Sequence, residues 1–179
     1  MTPPASPAVA IIPARGGSKR IPRKNVRPFA GRPILEYSVR AALESGCFDE
    51  VMVSTEDAAI AEVARAAGAS VPFMRSPDTA DDMAMLADVV AEVLGSYDDL
   101  GRHFPVFCCL LPTAPFIRPE RLREGYALLQ GSGADSVVPV TRFGYPIQRA
   151  VRVGPEQRLT MFQPENYNVR SQDLDPAFH

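Results

Sequence analysis

Six apolar residues in succession, Val106-Phe107-Cys108-Cys109-Leu110-Leu111, constrain this chain more than any other stretch. Alternate residues of a strand face opposite ways, so a run without a polar position reads as a central strand covered on both sides. The rest of the sequence supplies the cover. Further strands are expected at 8–13, 51–54, 70–73 and 136–140, the 70–73 strand at an edge because Pro72 cannot donate to a ladder. Between them, Pro33 opens a helix whose Ile34, Leu35, Val39, Ala42 and Leu43 share a face and which Gly46 stops. Asp57 caps a second helix running through Ile60, Val63, Ala64 and Ala67 to Gly68. A third carries Leu86, Val89, Val90, Val93 and Leu94 to Gly95, and a fourth runs from Pro119 to Gly131. This alternation predicts an α/β fold, a three-layer α/β/α sandwich around a mainly parallel, Rossmann-like sheet. All of 1–179 reads as one domain with an α/β core over 8–141. Beyond Arg142 the alternation stops, and 148–153 with 158–162 reads as a small β-hairpin inside a 142–170 insertion.

Composition removes several classes of function. With 46% hydrophobic and 22% charged residues, the chain has the make-up of a soluble globular protein. No apolar run approaches the ~20 residues of a membrane helix. The opening Met-Thr-Pro-Pro-Ala-Ser-Pro lacks the basic and apolar regions of a signal peptide, so no membrane association and a cytoplasmic location are expected. Cys47, Cys108 and Cys109 are odd in number and two are adjacent, which argues for buried thiols rather than a disulfide framework. Two histidines are too few for a Cys/His zinc cluster. A net charge of −2 gives no general attraction to nucleic acid.

That net charge conceals a local contrast. Between Arg15 and Arg32 lie seven cations (Arg15, Lys19, Arg20, Arg23, Lys24, Arg27, Arg32) and no acid, leaving twelve cations against 21 acidic residues elsewhere. The segment directly follows the first strand, at the end of a parallel sheet where ligands bind. Gly16 and Gly17 allow backbone N–H groups to approach an anion, and Arg15, Lys19 and Lys24 can add charge-assisted hydrogen bonds. A Walker loop needs Gly-Lys-Ser/Thr four residues after a first glycine, and Gly-Gly-Ser-Lys-Arg does not have it. The Gly-x-Gly-x-x-Gly fingerprint is absent too. An Arg-Gly-Gly element that binds RNA is usually disordered, whereas this one is attached to a buried strand. A solvated loop without a ligand is the remaining alternative. Seven unrelieved cations favour a compact anion such as a phosphate group.

The run 12–25, Ile-Pro-Ala-Arg-Gly-Gly-Ser-Lys-Arg-Ile-Pro-Arg-Lys-Asn, resembles the nucleotide-binding signature of the nonulosonic-acid cytidylyltransferases, the CMP-sialic acid synthetase family. Leu111-Pro112-Thr113-Ala114-Pro115-Phe116 and Val169-Arg170-Ser171-Gln172-Asp173-Leu174 resemble most its pseudaminic acid subgroup. The resemblance spans almost the whole chain. It implies transfer of CMP from CTP to a nine-carbon sugar acid with release of pyrophosphate, Mg²⁺ as cofactor, and a homodimer built through the 142–170 insertion. It makes Arg15 and Lys24 the catalytic cations on the triphosphate. It assigns Ala14, Gly16, Gly17, Ser18, Lys19, Asn25, Arg75, Asp82, Pro112 and Thr113 to the nucleotide and Arg170 and Gln172 to the sugar. Taken without the resemblance, Arg75 is an ordinary solvated loop residue. A catalytically silent nucleotide-binding protein, or an enzyme for sialic or legionaminic acid, is the alternative.

Some positions depart from the family pattern. Leu111 stands where sialic-acid members carry Gln, and Glu56 where a Ser-Thr-Asp-Asp run usually has Asp. The family's metal-binding aspartate is expected beyond His179, so the chain reads as truncated. By elimination, Asp81, Asp82, Asp173 and Asp175 are the acids left for a metal, each also explicable as a loop or capping residue.

Overall fold

Strand β1 (Ala8–Pro13) holds the middle of a three-stranded parallel sheet, flanked by β4 (Glu50–Ser54) and β5 (Val106–Cys109). The computed structural model describes residues 6–18, 21–80 and 84–179. The chain divides into two compact units, Met1–Asp135 and Ser136–His179. Residues 8–12 of β1 are all fully buried, and their alternation sorts them between two cores. Ala10 and Ile12 pack with Leu35 and Val39 of α1 (Ile34–Ser45), Ile60 and Ala64 of α2 (Ala58–Ala66) and Leu122 of α4 (Pro119–Ser132). Val9 and Ile11 pack instead with Val90, Val93 and Tyr97 of α3 (Leu86–Asp99), and with Phe104. Helices therefore lie on both faces, as the apolar runs require. Each fully buried isoleucine of β1 contributes about 1.5–3 kcal/mol relative to exposure.

The helix boundaries follow local chemistry. The Asp57 side chain accepts from the N–H groups of Ala59 (2.8 Å) and Ile60 (3.1 Å), capping α2. Gly46 ends α1 with φ +65°, a left-handed conformation that glycine adopts without strain. Between β1 and α1 the chain makes a short hairpin of β2 (Pro28–Phe29) and β3 (Arg32–Pro33). Its two-residue turn places Ala30 and Gly31 at positive φ, as tight hairpins demand.

Four expectations are corrected. The 106–111 run is not central: among the described residues β5 pairs with β1 and with no other strand, so it lies at the edge of the sheet, and Phe107 is 46% exposed. The expected strand at 136–140 does not form; no described strand offers it a partner, Pro139 lacks a donor, and Val138 and Val140 are exposed. The 70–73 strand shrinks to a single parallel bridge between Ser70 and Met52, beyond which Pro72 cannot continue the ladder. Helix α3 runs past Gly95 to Asp99, since Tyr97 in its last turn is fully buried and holds it in place.

The second unit contains the expected hairpin, β6 (Val151–Val153) paired antiparallel with β7 (Leu159–Met161). Thr141 and His179 exchange backbone hydrogen bonds of 2.9 Å, and the Phe143 and His179 rings lie 4.4 Å apart.

At the start of β4, Glu50 ties the sheet to the end of α3. Its carboxylate accepts from the Ser70 hydroxyl, from the Tyr97 hydroxyl at 3.1 Å and from Arg102 at 2.8 Å. The Arg102 guanidinium also covers the Tyr97 and Phe104 rings, at 5.2 and 5.1 Å from their centroids. Burial pushes the Glu50 carboxyl up, but the Arg102, Ser70 and Tyr97 hydrogen bonds and the Arg102 charge outweigh it and leave it below the usual glutamate range. A carboxyl depressed by folding stabilises above its unfolded pKa and loses that contribution as pH falls. Glu50→Gln is expected to cost about 1–2 kcal/mol at neutral pH, after allowing for solvent screening of the half-exposed Arg102. In thermal denaturation the gap between parent and variant should close as pH drops below the ordinary glutamate value of 4.5.

Candidate functional site

Beyond the carboxyl ends of β1 and β5, within the first unit, lies an open cavity of 740 Å³. Its polar lining is Arg15, Ser18, Lys24, Asn25, Arg75 and Thr113, and its apolar lining includes Ile21, Leu86, Val89, Leu111 and Pro112. That volume suits a small-molecule ligand. Cationic and apolar walls together suit a ligand with an anionic end and a flat or apolar end.

Each polar group is delivered by a specific element. The Ala14 N–H donates to the Ser54 carbonyl at 2.9 Å, which prolongs β1–β4 pairing by one step before Arg15 turns out. Asn25 sits in a single 3₁₀ turn (Lys24–Val26) and is 3% exposed. Its Nδ2 donates to the Arg15 carbonyl at 2.9 Å. A carbonyl can only accept, so the amide nitrogen must face Arg15, and Oδ1 is left buried without a partner. That acceptor needs a hydroxyl or amine from a ligand or a water. On the other wall, Ser38 of α1 donates to the Leu111 carbonyl at 2.8 Å and fixes the segment that presents Pro112 and Thr113.

Arg75 is 7% exposed, contrary to its reading as a solvated residue. Its Nε donates to Ser54 Oγ at 3.0 Å and its Nη2 to the Ser54 carbonyl at 2.6 Å. Burial pulls the guanidinium below its usual range, the charges of Glu56 and Glu92 oppose that, and the like charge of Arg15 adds to it. Glu92 of α3 meanwhile accepts from the Ser76 N–H at 2.7 Å and from the Thr79 hydroxyl, holding the turn that follows Arg75. Burial raises the Glu92 carboxyl, yet those hydrogen bonds and the Arg75 charge bring it below the usual range. The arrangement keeps a costly buried cation ready for an anion.

Eight of the sequence candidates meet around the basic loop and this cavity. Arg15, Ser18, Lys24, Asn25, Arg75, Pro112 and Thr113 line it. Gly17 adjoins it in the loop and is exposed, with no atom within 4 Å of where a Cβ would stand. Ala14 contributes a fully buried side chain to the core. The Gly16 N–H, expected to face an anion, instead donates to Glu56 Oε1 at 2.7 Å. Lys19 and Asp82 lie outside the described residues. Arg170 and Gln172 belong to the second unit, where Arg170 donates to Asp173 at 2.7 Å. Sequence reasoning missed Ser54 and Glu92, single polar residues that carry no local signal. It noticed Glu56 only as a departure from a pattern.

A protein-held metal finds little support among the described residues, where no group of three or more His, Cys, Asp or Glu could hold an ion. Asp173 is engaged by Arg170, and Asp81 and Asp82 lie outside the described residues.

Comparison with known proteins identifies the family. A family model described as cytidylyltransferase matches residues 9–154. The chain is 41% identical over 171 residues to the pseudaminic acid cytidylyltransferase of Campylobacter jejuni, covering 96% of this chain and 74% of that one. It is 40% identical over 135 residues to a CMP-N,N'-diacetyllegionaminic acid synthase of Legionella pneumophila, covering 74% of this chain and 58% of that one. Among solved structures, a CMP:2-keto-3-deoxy-manno-octonic acid synthetase complexed with CTP superposes with a TM-score of 0.67 at 24% identity. It aligns with 97% of this chain and 70% of its own, a likeness of fold. With a match over most of its length and a basic loop closing on a cavity at the end of its parallel sheet, the chain belongs to the cytidylyltransferase family and is a CTP-dependent nucleotidyltransferase.

Proposed function

We propose that this chain transfers CMP from CTP to a nonulosonic acid, with pseudaminic acid as the sugar. The observation that carries the reading is the convergence of Arg15, Lys24 and Arg75 on one cavity with an unpartnered Asn25 acceptor. The triphosphate lies against the three cations, and Asn25 Oδ1 accepts from a hydroxyl or the amine of the cytidine. The apolar wall of Leu86, Val89 and Leu111 suits the faces of a base and ribose. The choice of pseudaminic acid rests on the Campylobacter relative, which matches 96% of this chain.

In the reaction the anomeric hydroxyl oxygen of the sugar attacks the α-phosphorus of CTP. A phosphorus–oxygen bond forms as the bond to the β-phosphate breaks, pyrophosphate leaves, and the hydroxyl proton is released. Negative charge builds on the phosphoryl oxygens and on the leaving group. Arg15 and Lys24, which line the cavity, stabilise it. Mg²⁺ bound together with CTP would supply further neutralisation of the triphosphate. Arg170 and Gln172 are assigned to the sugar carboxylate and hydroxyls, for which a guanidinium and an amide are suited.

We assign the second unit to homodimer formation. Tyr145, Ile147, Val151, Val153, Leu159 and Phe162 are all more than 40% exposed there, a concentration of apolar surface that a second copy would cover. A cytoplasmic location is part of the proposal. As a separate matter, no described helix is long and apolar enough to cross a membrane.

Three measurements test these assignments. Arg15→Ala should lower turnover by at least about a hundredfold, about 3 kcal/mol of transition-state stabilisation, with the melting temperature unchanged. Full activity in a pyrophosphate-release assay would remove Arg15 from the site. Across CTP, UTP, ATP and GTP, and across pseudaminic, legionaminic and sialic acids, release should be fastest with CTP and pseudaminic acid. Preference for another sugar would move the chain to that branch. Light scattering should give twice the monomer mass for the parent and a monomer for Leu159→Glu, whereas a monomeric parent excludes the dimer.

A further inference from the structure

We infer that Glu56 is a positioning residue of the nucleotide site. Its carboxylate fixes the Gly16 amide and thereby the direction in which Arg15 enters the cavity. The inference rests on the reading of the cavity as the CTP site.

Gly16 N–H to Glu56 Oε1, at 2.7 Å, links residues 40 positions apart and joins the basic loop to the tip of β4. The platform beneath Glu56 is buried and hydrogen-bonded. Ser54 and Thr55 are 2% and 0% exposed, and Thr55 Oγ1 accepts from the Asp57 N–H at 3.1 Å. The loop also rests directly on that platform. A Cβ added at Gly16 would stand 2.7 Å from Asp57 Oδ2 and 3.0 Å from Asp57 Cβ, so only glycine permits the approach. Further along the loop, Arg23 adopts a left-handed φ of 51° and its guanidinium lies 3.5 Å from the same Asp57 carboxylate.

Two acids just beyond the end of one buried strand thus hold the cationic segment at Gly16 and at Arg23. An amide already bonded to a carboxylate is not available to a phosphate oxygen, so Gly16 serves the site through its conformation. The remaining Glu56 oxygen is buried without a hydrogen-bond partner, a costly arrangement unless the residue has a task beyond stability. Its charge also offsets the mutual repulsion of Arg15 and Arg75. Holding Arg15 in place before CTP arrives reduces the ordering cost of binding.

The test compares the parent chain with E56A, which loses the acceptor, and E56Q, which keeps acceptor and volume but not charge. CTP affinity is measured by calorimetry, and hydrogen exchange is followed at Gly16. E56A should bind CTP about tenfold more weakly, the size expected for loss of one hydrogen bond to a charged group, and exchange faster at Gly16. E56Q should recover affinity to within about threefold of the parent and restore slow exchange, a rescue that a purely structural role does not require. Equal binding by E56A and the parent, or E56Q as weak as E56A, overturns the inference. Should E56A not fold, E56Q alone decides: parent-like affinity and exchange support the inference, and loss of either overturns it. A parent that fails to bind CTP overturns the site reading and this inference with it. A parent that binds CTP while E56A binds equally well overturns the inference alone.

Discussion

Burial of β1 between two parallel neighbours is the constraint on which the rest of the molecule depends. Its residues 8–12 are fully enclosed, so their amide groups must be paired on both sides, and β4 and β5 provide that pairing in register. Parallel pairing returns every strand in the same direction. The segments that follow β1, the Ser70 bridge and β5 therefore gather at one end, and they carry Arg15, Arg75 and Thr113 to a shared cavity. The site is a consequence of strand direction before it is a consequence of any individual side chain.

Electrostatics then works against stability in a controlled way. Cations crowd the first loop, and Arg75 is buried at a cost that only partners can offset. Those partners are polar groups behind the cavity: Ser54 on the Arg75 guanidinium, Glu92 on the turn after it, Glu56 on Gly16 and Asp57 on Arg23. They orient the cations without closing the cavity. Such prearrangement is what a reaction with charge accumulating on phosphoryl oxygens requires, since donors already in place need not reorganise.

The opposite end of the sheet has a different character. There Glu50, Tyr97, Arg102 and Ser70 form a network that faces no cavity lined by the basic loop and binds β4 to α3. Placing the ligand site at one end and the cross-linking network at the other lets the loops carry strain, such as the left-handed Arg23, while the sheet stays anchored.

Much of this was legible in the residues. Short continuous apolar runs located β1 and β4, helical spacing with its Pro, Asp and Gly punctuation located α1 to α4, and the cations of 15–32, relieved by no acid, marked the basic loop that lines the cavity. These are local properties, carried by a few consecutive side chains and the backbone they favour. What the tertiary structure alone decided was non-local. An apolar run such as 106–111 does not say which neighbour a strand will find, so β1 rather than β5 became central. Nor does 136–140 reveal that it lacks a partner. Gly16 reads as a phosphate donor until Glu56, 40 residues away, takes its amide, and Arg75 reads as solvated until Ser54 buries it. Hydrogen-bond satisfaction and burial are set by groups distant in sequence, so the sequence by itself determined the kind of site and its charge, while the folded chain determined which atoms remain available to a ligand.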